Sequence, residues 1–441
     1  MDINELSEMN RWWTDGRVPE HLSKRIRRDL FPSVWAMMDK RQIISIVGLR
    51  RVGKSTLMFQ LIDRLIEEGT NPRNILYFTF DIKETELKEI LKTFREDLPR
   101  QEEGMKYIFL DEVQKLEDWA ESIKVFYDLD KDLKFIISGS SGMEIEGFSG
   151  KVLAGRVFKN TLLPLSFVEF LKFSGQKEMD PINSIDDVKE TMLQGSRWIK
   201  LLVEYAYSGG FIEILGEEKK YRSMYVRSSV IDNMINKDLK ELQGIKDTTL
   251  VRELLKIFSS NPGMIVDHRS LVDDLGISRQ TVSKYIGALL SAYSLIRLHS
   301  YHSNFLTSSK KAKRIYPAHP CIIESFEEEI DPPGLGKIIE NVVVSHLDPG
   351  FFYRVGNKEI DIIIRDRDRP LPIEVKYSNR ISGKDLRTIS WFVDKRDLEM
   401  GIVVTKDLFE RRGKILLVPV FALLKMKDPA KTCKDLFNAI L

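Results

Sequence analysis

Cysteine is nearly absent from this chain: two in 441 residues, Cys321 and Cys433. Two cysteines make neither a disulfide framework nor a metal cluster, and they fit a reducing compartment. An excess of charge of either sign is also missing, since 68 Lys and Arg face 66 Asp and Glu for a formal net charge of +2. That balance excludes a basic coat, so any nucleic-acid contact must come from local patches. Long apolar runs are lacking as well. The longest, residues 415–424, is interrupted by Pro419 and is far too short to cross a bilayer. The opening MDINELSEMN is acidic and polar, unlike a signal peptide. These absences together point to a cytoplasmic protein with no membrane partner. Internal repeats and low-complexity segments are missing too.

What the chain does have is material for several cores: 43% hydrophobic and 30% charged residues, the balance of a globular protein. At about 100–200 residues per domain, the length suits two to four domains.

The organising stretch is residues 41–56, RQIISIVGLRRVGKST. Ile43, Ile44, Ile46 and Val47 read as a buried parallel strand, which need not alternate because both its faces are covered. Gly48 to Ser55 then matches G-x-x-x-x-G-K-[ST], and a helical pattern begins at Thr56. Gly48 and Gly53 permit a tight loop whose backbone N–H groups, with those of Arg51 and Val52, face phosphate oxygens. The start of the helix adds partial positive charge. Lys54 reaches the β- and γ-phosphates and Ser55 ligates Mg²⁺. ATP and Mg²⁺ are therefore the expected cofactors.

Further strands are expected at residues 74–80, 106–110 and 135–137, with helices between them, which makes a parallel sheet. Polar residues fall at the strand ends, where ligands of such sheets bind. Asp111 would hold Mg²⁺, Glu112 would polarise the attacking water, and Ser138 and Ser140 stand where a γ-phosphate sensor would be. Arg156, after Gly155, is a candidate for the arginine that completes an ATP site; an exposed surface arginine is the competing reading.

Residues 166–246 are rich in helical pattern and suit a helical lid. From about residue 247 the sequence changes. Two helical segments joined by Gly276-Ile277-Ser278, then a strand, a basic hairpin and a return strand, describe a winged helix. Val282, Ile286, Leu289 and Leu290 form the apolar stripe of the second helix, leaving Arg279, Gln280 and Lys284 outside. With Lys310, Lys311 and Arg314 of the hairpin they are the candidate DNA contacts, although winged helices also dock proteins.

The last segment, 321–441, reads α-β-β-β-α-β, the core order of restriction-endonuclease-like domains. Strict alternation puts Glu359 and Asp361 on one strand face, and Glu374 and Lys376 on one face of the next. Ile360, Ile362, Ile373 and Val375 should point the other way. Glu340, Asp361 and Glu374 are the expected Mg²⁺ ligands and Lys376 the group that orients water, as in a metal-dependent phosphodiesterase. An amphipathic sheet with a solvated face is the alternative.

Taken together, the expected fold is an α/β multidomain chain: a P-loop AAA ATPase core (1–165), helical lid (166–246), winged helix (247–320) and restriction-endonuclease-like domain (321–441). The chain resembles a family of archaeal and bacterial P-loop ATPases of the AAA/STAND-like branch. The resemblance rests on GLRRVGKST, FLDEVQKLEDW, ISGSS, LAGRVFKNTLLPLSFVEF, EIDIII and PIEVKYS. It implies ATP binding, a winged helix and a C-terminal domain of unknown role. His319-Pro320-Cys321 stands where relatives tend to have Asp-x-Gly. Two functions are open: an ATPase acting on DNA, as a possible homo-oligomer, or a nucleotide switch whose other modules dock partners.

Overall fold

The computed structural model describes residues 2–440 except 82–84, 97, 99–102, 141–151, 177–180, 243, 303–311, 330, 332 and 367–368. The chain divides into two compact units. The first comprises residues 1–163, 232–246 and 291–293, and the second residues 164–231, 247–290 and 294–441. The segment expected as one lid, 166–246, is thus shared between the two. Apart from residues 291–293, the two parts expected as winged helix and nuclease-like domain lie in one unit.

The first unit is built on the apolar runs of its sequence. β1 (Ile43–Val47), β2 (Ile75–Thr79), β3 (Lys106–Asp111), β4 (Leu133–Gly139) and β5 (Val157–Thr161) form a sheet in the order β2-β3-β4-β1-β5. Its pairings are all parallel. β1 and β4 are buried along their whole length, which explains why their sequences do not alternate. The N-terminal segment closes the β2 edge. Asn10 exchanges two hydrogen bonds with the backbone of Tyr77, accepting from its N–H at 2.6 Å and donating to its carbonyl at 2.9 Å. The indoles of Trp12 and Trp13 both donate to the Ile75 carbonyl. At the start of β4, the central strand, Lys134 donates to the carbonyls of Met37, Lys40 and Gln42, and its burial lowers its pKa to about 8.

In the second unit the described residues form one nine-stranded sheet. Its strands are β6 (Met264–Ile265), β7 (Leu295–Ser300), β8 (Lys313–Pro317), β9 (Phe351–Val355), β10 (Lys358–Asp366), β11 (Arg369–Lys376), β12 (Gly401–Thr405), β13 (Glu410–Arg412) and β14 (Ile415–Pro419). Their order is β13-β14-β12-β11-β10-β9-β7-β8-β6. The helices Thr248–Ser260, His268–Leu275 and Arg279–Ser291 precede the β7–β8 hairpin. That hairpin is no separate wing sheet, because β7 pairs in parallel with β9 through His299 and Ser300. Helix Leu335–Leu347, strands β9, β10 and β11, helix Gly383–Lys395 and β12 follow in the order read from the sequence.

One expected register is corrected. Between Ile360 and Ile363 the β9–β10 pairing shifts, with Ile360 opposite Tyr353 and Ile363 opposite Phe351. Three residues of β10 thus span two of β9, as in a bulge, which resets the alternation. Ile360 consequently joins the core of Ile363, Val403 and Phe392, while Ile362 packs with Ile373 and Val375 on the other side.

The His319-Pro320-Cys321 junction is fully packed. Gly210 leaves no room there, since a Cβ on it would lie 2.5 Å from the Cys321 Sγ and 2.9 Å from the His319 Nδ1. His319 accepts the Cys321 N–H at 3.1 Å, and burial pulls its pKa down to about 3, so the ring is neutral.

Candidate nucleotide site and carboxylate cluster

The phosphate-type loop connects β1 to helix Lys54–Glu67. Gly48 has φ 152°, and a Cβ on it would meet the Leu162 carbonyl oxygen at 2.1 Å, so glycine is obligatory. Arg51 and Gly53 also turn through positive φ, at 65° and 97°. These turns are how a short loop aims successive N–H groups inward. Among the described residues, none gives the N–H groups of Arg50, Arg51, Val52 or Gly53 a hydrogen-bond acceptor. Lys54 is 5% exposed. Its ammonium donates to the carbonyls of Gly48 and Leu49 at 3.1 and 3.2 Å and lies 3.9 Å from Glu112 Oε1. Val52 is buried, and Thr56 is half-buried in the first helical turn.

Asp111 ends β3 in full burial. Its carboxylate accepts from Ser55 Oγ at 2.5 Å, from Tyr77 Oη at 2.9 Å and from Ser138 Oγ. Burial and the charge of Glu112 push its pKa up, and the hydroxyls of Ser138, Ser55 and Tyr77 oppose that rise. A serine hydroxyl and a carboxylate touching at the start of the loop helix are the hard oxygen donors that suit Mg²⁺. Glu112, at φ 55°, turns the chain so that its own carboxylate meets other donors. Gln114 Nε2 donates to Glu112 Oε2 at 2.5 Å and to Ser140 Oγ at 3.1 Å, while Ser140 donates to Glu112 Oε2 at 3.1 Å. The Gln114 Oε1 is buried with no hydrogen-bond partner. A polar atom orphaned beside the acidic pair, with the unclaimed N–H groups of the loop, fits a site made to receive polar groups.

The structure gathers Lys54, Ser55, Asp111, Glu112 and Ser138 from three separate stretches of sequence. Arg156 is a correction. Val157 pairs with Ile43 and Thr161 with Val47, so Arg156 lies at the strand end opposite Gly48, roughly 20 Å away along β1. Its guanidinium is held by Asp128 at 3.0 Å. It cannot complete this chain's own site. Sequence reasoning misses Tyr77, because only the parallel pairing of β2 with β3 brings it beside Asp111.

In the second unit Arg279, Gln280 and Lys284 are exposed, while Val282, Ile286 and Leu289 are buried beneath them. Ser278 caps the helix by accepting the Thr281 N–H at 3.1 Å. Burial, then the charges of Arg279 and Lys313, hold the His268 pKa below the ordinary histidine range. Lys310 and Lys311 lie outside the described residues.

Arg314 is a second correction. It is 3% exposed and faces inward. Its guanidinium lies 3.4 Å from Asp361 Oδ1 and 3.8 Å from Glu340 Oε1, and it pairs with Glu359 as well. On β8 strand alternation sends Arg314 to the core side and leaves Lys313 half-exposed. Glu340 also accepts from Tyr316 Oη at 2.8 Å and from Lys337 at 2.7 Å, and Lys376 pairs with Glu374 at 2.7 Å. Burial and the charge of Asp361 raise the Glu374 pKa to about 7, with Lys376 opposing. The expected carboxylates do converge, therefore, but among cations of the chain itself. Among the described residues no group of three or more His, Cys, Asp or Glu side chains is disposed to hold a metal ion. Glu340 and Asp361 face Arg314 and Glu374 pairs with Lys376, so the expected metal set Glu340, Asp361 and Glu374 forms an ion-pair cluster with cations of the chain itself.

Among known proteins, residues 40–171 match a family described as "AAA domain". Residues 199–325 and 335–423 match two domains of unknown function, DUF8612 and DUF4143. An uncharacterised protein of Haemophilus influenzae is 26% identical over 352 residues, covering 75% of this chain and 82% of the relative. An uncharacterised protein of Methanocaldococcus jannaschii is 24% identical over 403 residues, covering 87% and 85%. Two solved structures are similar at a distance. The Walker-type ATPase of Pyrococcus abyssi is 13% identical with a TM-score of 0.38, covering 69% of this chain and 96% of that one. Drosophila ORC bound to GC-rich DNA and Cdc6 is 11% identical with a TM-score of 0.25, covering 74% and 93%. Most of the stretch that matches the AAA domain model, residues 40–163, lies in the first unit. No helix of the described residues is long and apolar enough to cross a membrane.

Proposed function

We propose that this protein binds and hydrolyses ATP at the loop 48–55 and couples that turnover to DNA held by its second unit. The observation that carries the first half is the convergence of Lys54, Ser55, Asp111 and Glu112 at one buried strand end beside free loop N–H groups. The N–H groups and Lys54 bind the β- and γ-phosphates, and Lys54 exchanges the Gly48 and Leu49 carbonyls for phosphate oxygens. Ser55 and Asp111 would hold Mg²⁺, which neutralises charge that develops on the phosphates. Glu112 accepts the proton of the attacking water, and Gln114 with Ser140 fixes the carboxylate that does so. Tyr77 keeps Asp111 oriented from β2.

The test is steady-state hydrolysis with and without DNA. Lys54→Ala should weaken nucleotide binding. Glu112→Gln should keep binding and slow turnover by about 10²–10⁴-fold, the usual worth of a general base. Unchanged turnover in Glu112→Gln would refute the assignment.

The exposed helix face of Arg279, Gln280 and Lys284 supports DNA as the ligand of the second unit. Arg314 among the carboxylates favours a C-terminal module that binds without cutting, since the chain's own guanidinium already pairs with Glu340 and Asp361. Wild-type protein should leave linear and branched DNA intact in Mg²⁺ or Mn²⁺. Cleavage that Asp361→Ala abolishes would restore the nuclease reading.

A further inference from the structure

With Arg156 on the far edge of its sheet, the site as read from the sequence lacks an arginine for the γ-phosphate. The loop contains another. Arg50 and Arg51 are adjacent but are treated differently by the fold. Arg51 is exposed, whereas the Arg50 side chain is only 14% exposed and forms a two-pronged pair with Asp238. Its Nε lies 2.7 Å from Asp238 Oδ2 and its Nη2 2.6 Å from Oδ1. Asp238 is fully buried and 188 positions further along the chain.

We infer that Arg50 is the arginine that stabilises the γ-phosphate during hydrolysis, and that Asp238 is its positioning residue. The inference rests on the reading of loop 48–55 as an ATP site. A guanidinium presents two parallel N–H donors, and a carboxylate and a phosphoryl group accept them in the same geometry. Asp238 thus holds Arg50 in the form that a phosphate would take. Burying such a pair for stability alone is seldom favourable, because desolvation offsets most of the attraction. The pair also lies within the field of the catalytic groups. Burial works against the Arg50 charge; Asp238 more than offsets it, and the carboxylates of Glu112 and Asp81 add to that support. Asp238 in turn feels Glu112 and Lys54.

The second feature is where Asp238 sits. Segment Met234–Leu242 is wound as a π-helix, a form that weakens its own hydrogen-bond ladder and recurs at functional positions. Met234, Ile235 and Leu239 are buried, so Asp238 cannot swing away without moving the segment. When Arg50 turns to the γ-phosphate, Asp238 is left as a buried carboxylate with its cation engaged elsewhere. The segment relaxes to relieve it. Loss of the γ-phosphate returns Arg50 to Asp238. The pair therefore makes residues 234–242 a reporter of whether ATP or ADP occupies the loop.

The experiment uses the full chain as wild type, Arg50→Lys, Arg50→Ala and Asp238→Asn. It measures kcat and KM for Mg-ATP, affinity for a fluorescent ATP analogue, and hydrogen exchange of residues 234–242 with ADP or a non-hydrolysable ATP analogue. Arg50→Lys retains a cation against Asp238, so the fold is kept while the fork is lost. Its kcat should fall about 10²–10³-fold, as for removal of one transition-state donor, with analogue affinity changed by no more than about threefold. Asp238→Asn should tighten analogue binding and make exchange of 234–242 the same in ADP and the ATP analogue. Arg50→Lys with wild-type kcat, or Asp238→Asn whose exchange still responds to nucleotide as in wild type, overturns the inference. A wild type that neither binds nor hydrolyses ATP fails one step earlier and sinks the ATP-site reading itself.

Discussion

Replacing Arg314 by alanine tests the C-terminal cluster directly. In the wild type one guanidinium lies among three carboxylates, those of Glu340, Glu359 and Asp361, and two of the three are buried. Its removal leaves Glu340 with Lys337 and Tyr316, and leaves Asp361 with the Val375 N–H at 3.0 Å. Removing one partner of a buried pair costs about 3–5 kcal/mol, because the charge left behind stays desolvated. The loss should depend on pH. Glu340 is already raised, by burial first and Asp361 second, with Arg314 among the cations that oppose the rise, and losing that cation raises it further. Protonation at low pH then relieves the variant. The assay is hydrogen exchange of the β8, β10 and β11 amides at pH 5.5 and 8, which reads this unit locally; a chain of two units need not unfold in one step. Exchange in Arg314→Ala should accelerate on these strands, more at pH 8 than at pH 5.5. Adding Asp361→Asn should recover part of the loss. A loss of less than about 1 kcal/mol that ignores pH would refute the buried-cation argument, since that is the range of an exposed pair.

The folded Glu374 carboxyl titrates at about 7 against an ordinary 4.5, so the folded state binds more protons between those values and its stability falls as pH rises through them. Glu374→Gln should flatten that slope between pH 4.5 and 7 in local exchange measurements; an unchanged slope would assign it to other groups. Neutralising Arg279 and Lys284 should weaken binding to all DNA sequences and reduce the log–log salt slope by about one unit for each phosphate no longer neutralised. Binding that ignores both salt and substitution would point to a protein ligand. Gly48→Ala drives a Cβ into the Leu162 carbonyl, which should destabilise the first unit by about 1–3 kcal/mol and abolish binding of a fluorescent ATP analogue. Retained binding at wild-type stability would show that the loop can yield.

The first unit was legible because its signals are local. A parallel strand covered on both faces announces itself as a short run such as IISIV, and the residues that follow each run stand at the ligand edge by topology. Arg156 failed for a related reason. It precedes its strand, and in a parallel sheet that position belongs to the opposite edge. Asp238 left no local signal at all. One aspartate in a lysine-rich helical stretch is ordinary, and only the tertiary fold brings it to a loop 188 positions earlier. In the second unit the secondary structure was readable in order, yet side-chain direction was not. Pattern reasoning assumes unbroken alternation, and the bulge between Ile360 and Ile363 sends two isoleucines to different cores.

Arg314 shows why charge on a hairpin is a poor guide to what the hairpin touches. Read alone, Lys310, Lys311, Lys313 and Arg314 make a uniform basic run, and a basic run suggests a solvated edge. The pleat divides it: Lys313 stays toward solvent and Arg314 turns inward. What makes the inward position tolerable is the parallel pairing of β7 with β9, which joins the hairpin to the sheet carrying Asp361 and Glu374. The carboxylates and the arginine thus depend on each other through sheet continuity rather than through sequence neighbourhood. Without Arg314 the acids would repel one another in a buried site; without the acids the arginine would be an unpaired buried charge. The Arg314 guanidinium also lies over the Phe352 ring at 5.0 Å, so β9 packs the cation that the acids pair with.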